Sequence, residues 1–236
     1  MPNEYSTRWI DTFLSTQDPN QTAREIAFLM RQLPLPQFRR VLDVCCGAGR
    51  HSAALASAGY EVVGIDRDTS LVASARTACK PGEFHVMDMR DIGRGLNGTR
   101  FDAAICLWQS FGYFDPAGND AALRDIASLL KPGGRFVLDI YHREFFERHQ
   151  GTSTFERDGR RIVETKQVTD DGRLRVELDY GDGVHDAFDW ELFTPDDLAR
   201  RALPAAGLRV RLCCAKFDEA VPASADVPRM QAVFEK

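Results

Sequence analysis

The chain has 236 residues, 44% hydrophobic and 28% charged, enough for one substantial core and too few for two large independent ones. Lys and Arg total 30 against 35 Asp and Glu, a net charge of -5, so no basic field stands ready for a phosphate backbone and no nucleic-acid partner is expected. The six cysteines form two adjacent pairs (Cys45 with Cys46, Cys213 with Cys214) plus Cys79 and Cys106. Without C-x-x-C spacing they read as reduced core thiols, and no metal site is expected. The opening MPNEYSTRWIDTF is acidic and has no continuous apolar run, which predicts neither a signal peptide nor a membrane span and makes the cytoplasm the expected compartment.

In chain order, Ile26, Phe28, Leu29, Met30 and Leu33 recur at helical spacing over 20–33, and Pro34 and Pro36 stop that helix. Apolar strands follow near 40–45, 61–65, 83–87, 101–107 and 134–140, separated by helical stretches near 50–58, 69–79 and 118–130. This alternation predicts a parallel sheet covered on both faces, with ligands at the carboxyl ends of its strands. Past residue 145, glycines punctuate short runs such as RRIVETKQV and RLRVELDY, which read as antiparallel hairpins. Thr194 and Pro195 cap and open one more helix, and LRVRLCCAKF and MQAVFEK supply two late strands.

The strongest local signal is VLDVCCGAGRH at 41–51, a strand that ends in Gly47 and Gly49 just before a helix. Glycine there lets backbone approach a ligand, and the helix N-terminus offers free N–H groups. The next strand, EVVGIDRD, ends in Asp66 and Arg67 about 20 residues on, where a carboxylate accepts ribose hydroxyls. The pair specifies a nucleoside cofactor and also occurs in nicotinamide-dependent oxidoreductases. Against a dinucleotide, position 52 is Ser where a third glycine would fall, and Asp43 sits within the first strand.

With Asp43 ahead of its G-x-G, the segment resembles motif I of the class I S-adenosylmethionine-dependent methyltransferases. FHVMDMRD at 84–91, FDAAICLWQSFGYF at 101–114 and LKPGGRFVLDIYHREFF at 130–146 match that family in the same order. The resemblance implies that Asp43 orients the turn and the cofactor's ammonium, and that Gly47 and Gly49 line the methionine and ribose. Asp88 would accept the adenine amino group beside the Met89 backbone, and Leu107 and Trp108 would lie beneath the sulfonium. It further implies an α/β, Rossmann-like, seven-strand, mostly parallel sheet with helices on both faces. GAGRH and SFGYF are typical of a bacterial small-molecule branch that includes sugar N-methyltransferases of antibiotic pathways. In that branch an N-terminal cap, here 1–36, precedes a cofactor-binding core, 37–144; a β-rich insertion, 145–193, comes before the rest of the core, 194–236.

The implied activity is methyl transfer from S-adenosylmethionine to an N or O atom of a small molecule, with S-adenosylhomocysteine as product and a monomer or homodimer as the working unit. A sulfonium is already a potent donor, so alignment and exclusion of water are the larger tasks. Trp108, Phe111, Tyr113 and Tyr141 lie at the exits of strands four and five, where aromatic faces suit a cationic methyl donor. Tyr113, Tyr141 and His142 are candidate catalytic groups, His142 and Tyr141 as a base; His51 reads as packing around the loop, and His185 as a residue of the insertion within reach of an acceptor. Tyr5, Arg8 and Trp9 are expected to cover the cofactor, and Phe188, Trp190 and Phe193 to belong to a lid or a dimer surface. Nucleobase methylation is disfavoured, because LWQS stands where an Asn/Asp-Pro-Pro-Tyr/Phe string would fall and Cys106 lies inside a strand. An oxidoreductase and a non-catalytic cofactor sensor remain the alternatives.

Overall fold

The computed structural model describes residues 3–14, 18–157 and 159–236. Met1, Pro2 and 15–17 of the expected cap, and Asp158 of the insertion, lie outside them. The chain starts with α1 (Thr7–Trp9), a π-helical turn (Ile10–Leu14) and α2 (Pro19–Gln32), which Asp18 caps and Pro19 opens. Next come β1 (Arg40–Val44), α3 (Arg50–Ser57), β2 (Glu61–Asp66), α4 (Thr69–Ala78) and β3 (Glu83–Val86). A 3-10 turn leads into α5 (Ile92–Gly95), followed by β4 (Phe101–Cys106), α6 (Pro116–Leu129) and β5 (Leu130–Tyr141). The C-terminal part adds α7 (Arg143–Arg148), β6 (Gly151–Arg157), β7 (Arg160–Val168), β8 (Arg173–Asp179) and β9 (His185–Glu191). It closes with α8 (Pro195–Ala206), β10 (Arg209–Ala215), β11 (Asp218–Pro222) and β12 (Arg229–Glu235).

The main sheet runs β11-β10-β12-β5-β4-β1-β2-β3, with β3, β2, β1, β4 and β5 parallel and β12 antiparallel to β5. Its central strands are apolar on both faces because both are covered. Leu42, Val44, Cys106 and Leu138 pack on the side of α6 and α8, whereas Val41, Ile105 and Val137 pack against Phe28 and Leu29 of α2 and Leu55 of α3. Strand order reverses between β1 and β4, so their carboxyl ends frame the crevice where such folds bind ligands.

The sheet has eight strands rather than the expected seven. The extra strand, β11, returns from β10 through Lys216 and Phe217, at φ 58° and 57°. Two-residue hairpins need such left-handed residues, and neither position carries the Gly or Asn that signals one. The expected hairpins belong to a separate four-stranded antiparallel sheet, β6-β7-β8-β9. β5 also starts earlier than expected, running through the Pro-Gly-Gly segment with an irregular register against β4.

Candidate functional site

The loop after β1 is built for close approach. Cys45, Gly47 and Gly49 have φ of 60°, 54° and 82°, a reversal that delivers the chain directly to the start of α3. No atom lies within 4 Å of where a Gly47 Cβ would stand, and a Cβ on Gly49 would stand 2.9 Å from that of Ala75 in α4. The N-cap of α3 is Gly49, which supplies no side-chain hydrogen bond, so first-turn amides are left for other partners. The Gly47 amide donates to Asp66 Oδ2 at 2.9 Å, and Asp66 Oδ1 accepts from the Asp68 amide at 2.9 Å. Burial raises the Asp66 pKa against these bonds.

Asp43 is buried and accepts a 2.6 Å hydrogen bond from Ser52 Oγ. Ser52 thus ties the strand acid to the first turn of the following helix instead of clearing space for a dinucleotide. Burial raises the Asp43 pKa, opposed by the charge of His51 and the Ser52 bond. Beyond β3, Asp88 caps the 3-10 turn and is held below its usual range chiefly by hydrogen bonds from Arg90, at 3.0 and 2.7 Å from the guanidinium. Met89 is buried beneath it. Arg67, Val86, Met87, Asp88, Asp91, Arg94 and Gly95 line an open cleft of about 480 Å³ at the ends of β2 and β3.

At the end of β4, Leu107 is buried and Trp108 and Gln109 turn through φ of 59° and 58°. The Trp108 amide donates to Asp139 Oδ2 (2.9 Å), and its indole Nε1 donates to Glu25 Oε1 (2.8 Å). Arg50 and Arg229 lie over its ring, 4.8 and 5.0 Å from the centroid. Its π-system is therefore engaged by the protein's own cations. Glu25, fully buried on α2, also accepts from Arg50 Nη1 (2.6 Å) and lies 2.7 Å from His51 Nε2. Burial pushes the Glu25 pKa up, but the His51 bond and charge, the Arg50 charge and the Trp108 bond hold it down at about 2. Asp139, fully buried, is matched by Arg229 and by Gln231 Nε2 at 2.8 Å.

The N-terminal segment and the inserted sheet meet over these strand ends. The Asn3 amide donates to the Ala187 carbonyl (2.9 Å), Ser6 Oγ to Asp186 Oδ2 (2.7 Å) and Arg8 Nη2 to Asp182 Oδ2 (2.6 Å), while Arg67 bonds the Asn3 carbonyl. Arg8 thus holds the insertion and not the loop after β1. The Tyr5 ring centroid lies 4.4 Å from Trp9 and 5.0 Å from Phe188, and the Tyr5 and Tyr113 hydroxyls hydrogen-bond each other. Trp190 stands 6.1 Å from Tyr113 and 5.7 Å from Tyr141. Burial raises the pKa of Tyr5, Tyr113 and Tyr141 alike.

Of the other candidates, His142 follows β5 as the N-cap of α7, is buried and bridged to Phe193, and makes no ring contact with the aromatic cluster among the described residues. Burial lowers its pKa. His185 faces outward beside Asp179, 3.7 Å away, and not toward the strand ends. Glu25, Asp139 and Arg229 went unread in the sequence, although two carried a signal. Glu25 shares the buried face of its helix with Phe28 and Leu29, and Asp139 interrupts the apolar run FVLDIY.

Residues 41–134 match the family model described as a methyltransferase domain. The chain is similar to a dTDP-3-amino-3,6-dideoxy-alpha-D-glucopyranose N,N-dimethyltransferase of Streptomyces fradiae, 30% identical over 82% of this chain and 79% of that one. It is also similar to a glycine/sarcosine N-methyltransferase of Halorhodospira halochloris, 27% identical over 77% and 72% of the two chains. In fold it matches the crystal structure of an S-adenosylmethionine-dependent methyltransferase from Clostridium acetobutylicum, with a TM-score of 0.77 over 97% of this chain and 96% of that one at 15% identity.

Proposed function

The chain belongs to the class I S-adenosylmethionine-dependent methyltransferases, and from that premise we propose that it methylates an amine nitrogen of a small polar molecule, such as an amino sugar or an amino acid. The bound cofactor supplies a methyl group activated on a sulfonium. The open space at Gly47 and the uncapped start of α3 fit its methionine end, with Asp43 behind the loop. Asp66 and Arg67 take the ribose, and the adenine lies in the cleft beyond β3 that Asp88 lines, beside the backbone of the buried Met89. Leu107 and Trp108 form the floor, while Tyr5 and Trp9 cover the site from the N-terminal segment.

The observation that carries the acceptor class is the aromatic wall of Tyr5, Tyr113, Tyr141, Phe188 and Trp190 at the ends of β4 and β5. Charged groups border it at Tyr141: Arg229 lies 5.8 Å from the ring centroid, and Glu164, ion-paired with Lys166 on the inner face of β7, is close enough for its charge to act on the hydroxyl. A small ring or chain bearing hydroxyl and amino groups matches such a wall. Because burial raises their pKa values, the three tyrosines stay protonated at neutral pH and orient the amine by hydrogen bonds; they do not take its proton. Catalysis then rests on alignment of a neutral amine.

The test is incubation of the purified protein with S-adenosylmethionine and a panel of amino-sugar nucleotides, glycine and sarcosine, each with its hydroxy analogue, following S-adenosylhomocysteine release and product mass. Transfer to an amine and not to its hydroxy analogue is expected. Transfer to hydroxyl compounds alone would overturn the acceptor class.

A further inference from the structure

The start of α3 has the wrong charge for its position. A helix N-terminus carries partial positive charge and favours acids, yet α3 begins with Arg50 and His51 and has no acidic residue in its first turn. The missing acid comes from another helix. Glu25 of α2, with no exposed surface, accepts from Arg50 Nη1 at 2.6 Å and contacts His51 Nε2 at 2.7 Å through one oxygen, and accepts from Trp108 Nε1 at 2.8 Å through the other. One carboxylate therefore joins the helix behind the G-x-G loop to the floor at the end of β4. It also balances charge. Arg229 is matched by Asp139 and Arg50 by Glu25, and both guanidiniums lie over Trp108.

S-adenosylmethionine carries one net positive charge, sulfonium and ammonium against carboxylate, whereas S-adenosylhomocysteine carries none. We infer that Glu25 is a positioning residue of the methyltransferase site, whose buried negative charge offsets Arg50 and makes the β1–β4 crevice able to hold a cationic donor as well as its neutral product. The inference rests on the cofactor placement given above. A carboxylate that merely held the fold together would affect the two ligands equally. One that sets the local charge affects the cation more, because a Coulomb term in a partly buried site acts on charge and not on shape.

The experiment is calorimetric titration of both ligands into the wild type, Glu25→Gln and Arg50→Gln, with unfolding midpoints measured alongside. Glu25→Gln keeps the side chain's shape and leaves Arg50 unbalanced, so the ratio of the S-adenosylmethionine Kd to the S-adenosylhomocysteine Kd should rise by about threefold or more. Arg50→Gln should move that ratio in the opposite direction. Equal losses for both ligands, or an unchanged ratio in Glu25→Gln, overturns the inference. If Glu25→Gln does not fold, Arg50→Gln decides: a ratio shifted toward S-adenosylmethionine sustains it and an unchanged ratio overturns it. Failure of the cofactor placement is seen separately, as wild-type affinity in an Asp66→Ala variant.

Discussion

Asp66 accepts the Gly47 amide that shapes the loop, and in the proposed site the same carboxylate faces the ribose hydroxyls. Asp66→Ala is expected to weaken S-adenosylhomocysteine binding by more than about 1 kcal/mol, the worth of a charge-assisted hydrogen bond, as read by calorimetry. Unchanged affinity would remove Asp66 from the site. Gly49→Val combines a backbone at φ 82° with a Cβ driven to 2.9 Å from Ala75. It should cost about 2–4 kcal/mol in urea unfolding from left-handed strain and overpacking, and abolish binding at any protein concentration where the wild type saturates. The grouping of Asp43, Gly47, Gly49 and Asp66 was legible in the sequence because all four lie within one strand-helix-strand unit, β1-α3-β2. Glu25 and Arg229 were not, because their partners are far away along the chain: Trp108 for the first and Asp139 for the second. Tyr141 and His142 both fall just after the expected fifth strand, but β5 runs on through Tyr141 while His142 caps α7, which separates them.

Among the elements, the β1-α3-β2 unit followed the expected bounds closely, since apolar runs on both faces and a glycine turn leave few alternatives. β11 escaped because Lys216 and Phe217 adopt a turn usually marked by Gly or Asn. α8 was readable from its cap: Thr194 accepts from the Asp197 amide at 3.1 Å, and the Asp197 side chain accepts from the Thr194 amide at 2.9 Å. Thr194→Ala should therefore lower stability by about 1 kcal/mol in chemical denaturation, without changing cofactor affinity. A loss of affinity instead would mean that α8 communicates with the site. The docking of the N-terminal segment on β9 through Asn3, Ser6 and Tyr5 was hidden, because short polar residues near a terminus carry no periodic signal.

For the whole molecule, the buried charges define a pH window. Burial acts to raise the Glu25 carboxyl, yet its partners hold it at about 2 against an ordinary 4.5, so its contribution, on the order of 3 kcal/mol, is complete above pH 4.5 and disappears as pH falls through about 2. Wild type should lose stability more steeply than Glu25→Gln between those values; parallel curves would mean that the Glu25 pairs contribute little. The same network lies beside the crevice between β1 and β4, so in the proposed site the residues that stabilise the fold also border the cofactor. The most direct measurement is calorimetric titration of the wild-type protein with S-adenosylhomocysteine and, in parallel, a nicotinamide dinucleotide. Saturable binding of the first alone is predicted, since Ser52 fills the place of a third glycine and bonds Asp43. Binding of the dinucleotide alone would contradict the account.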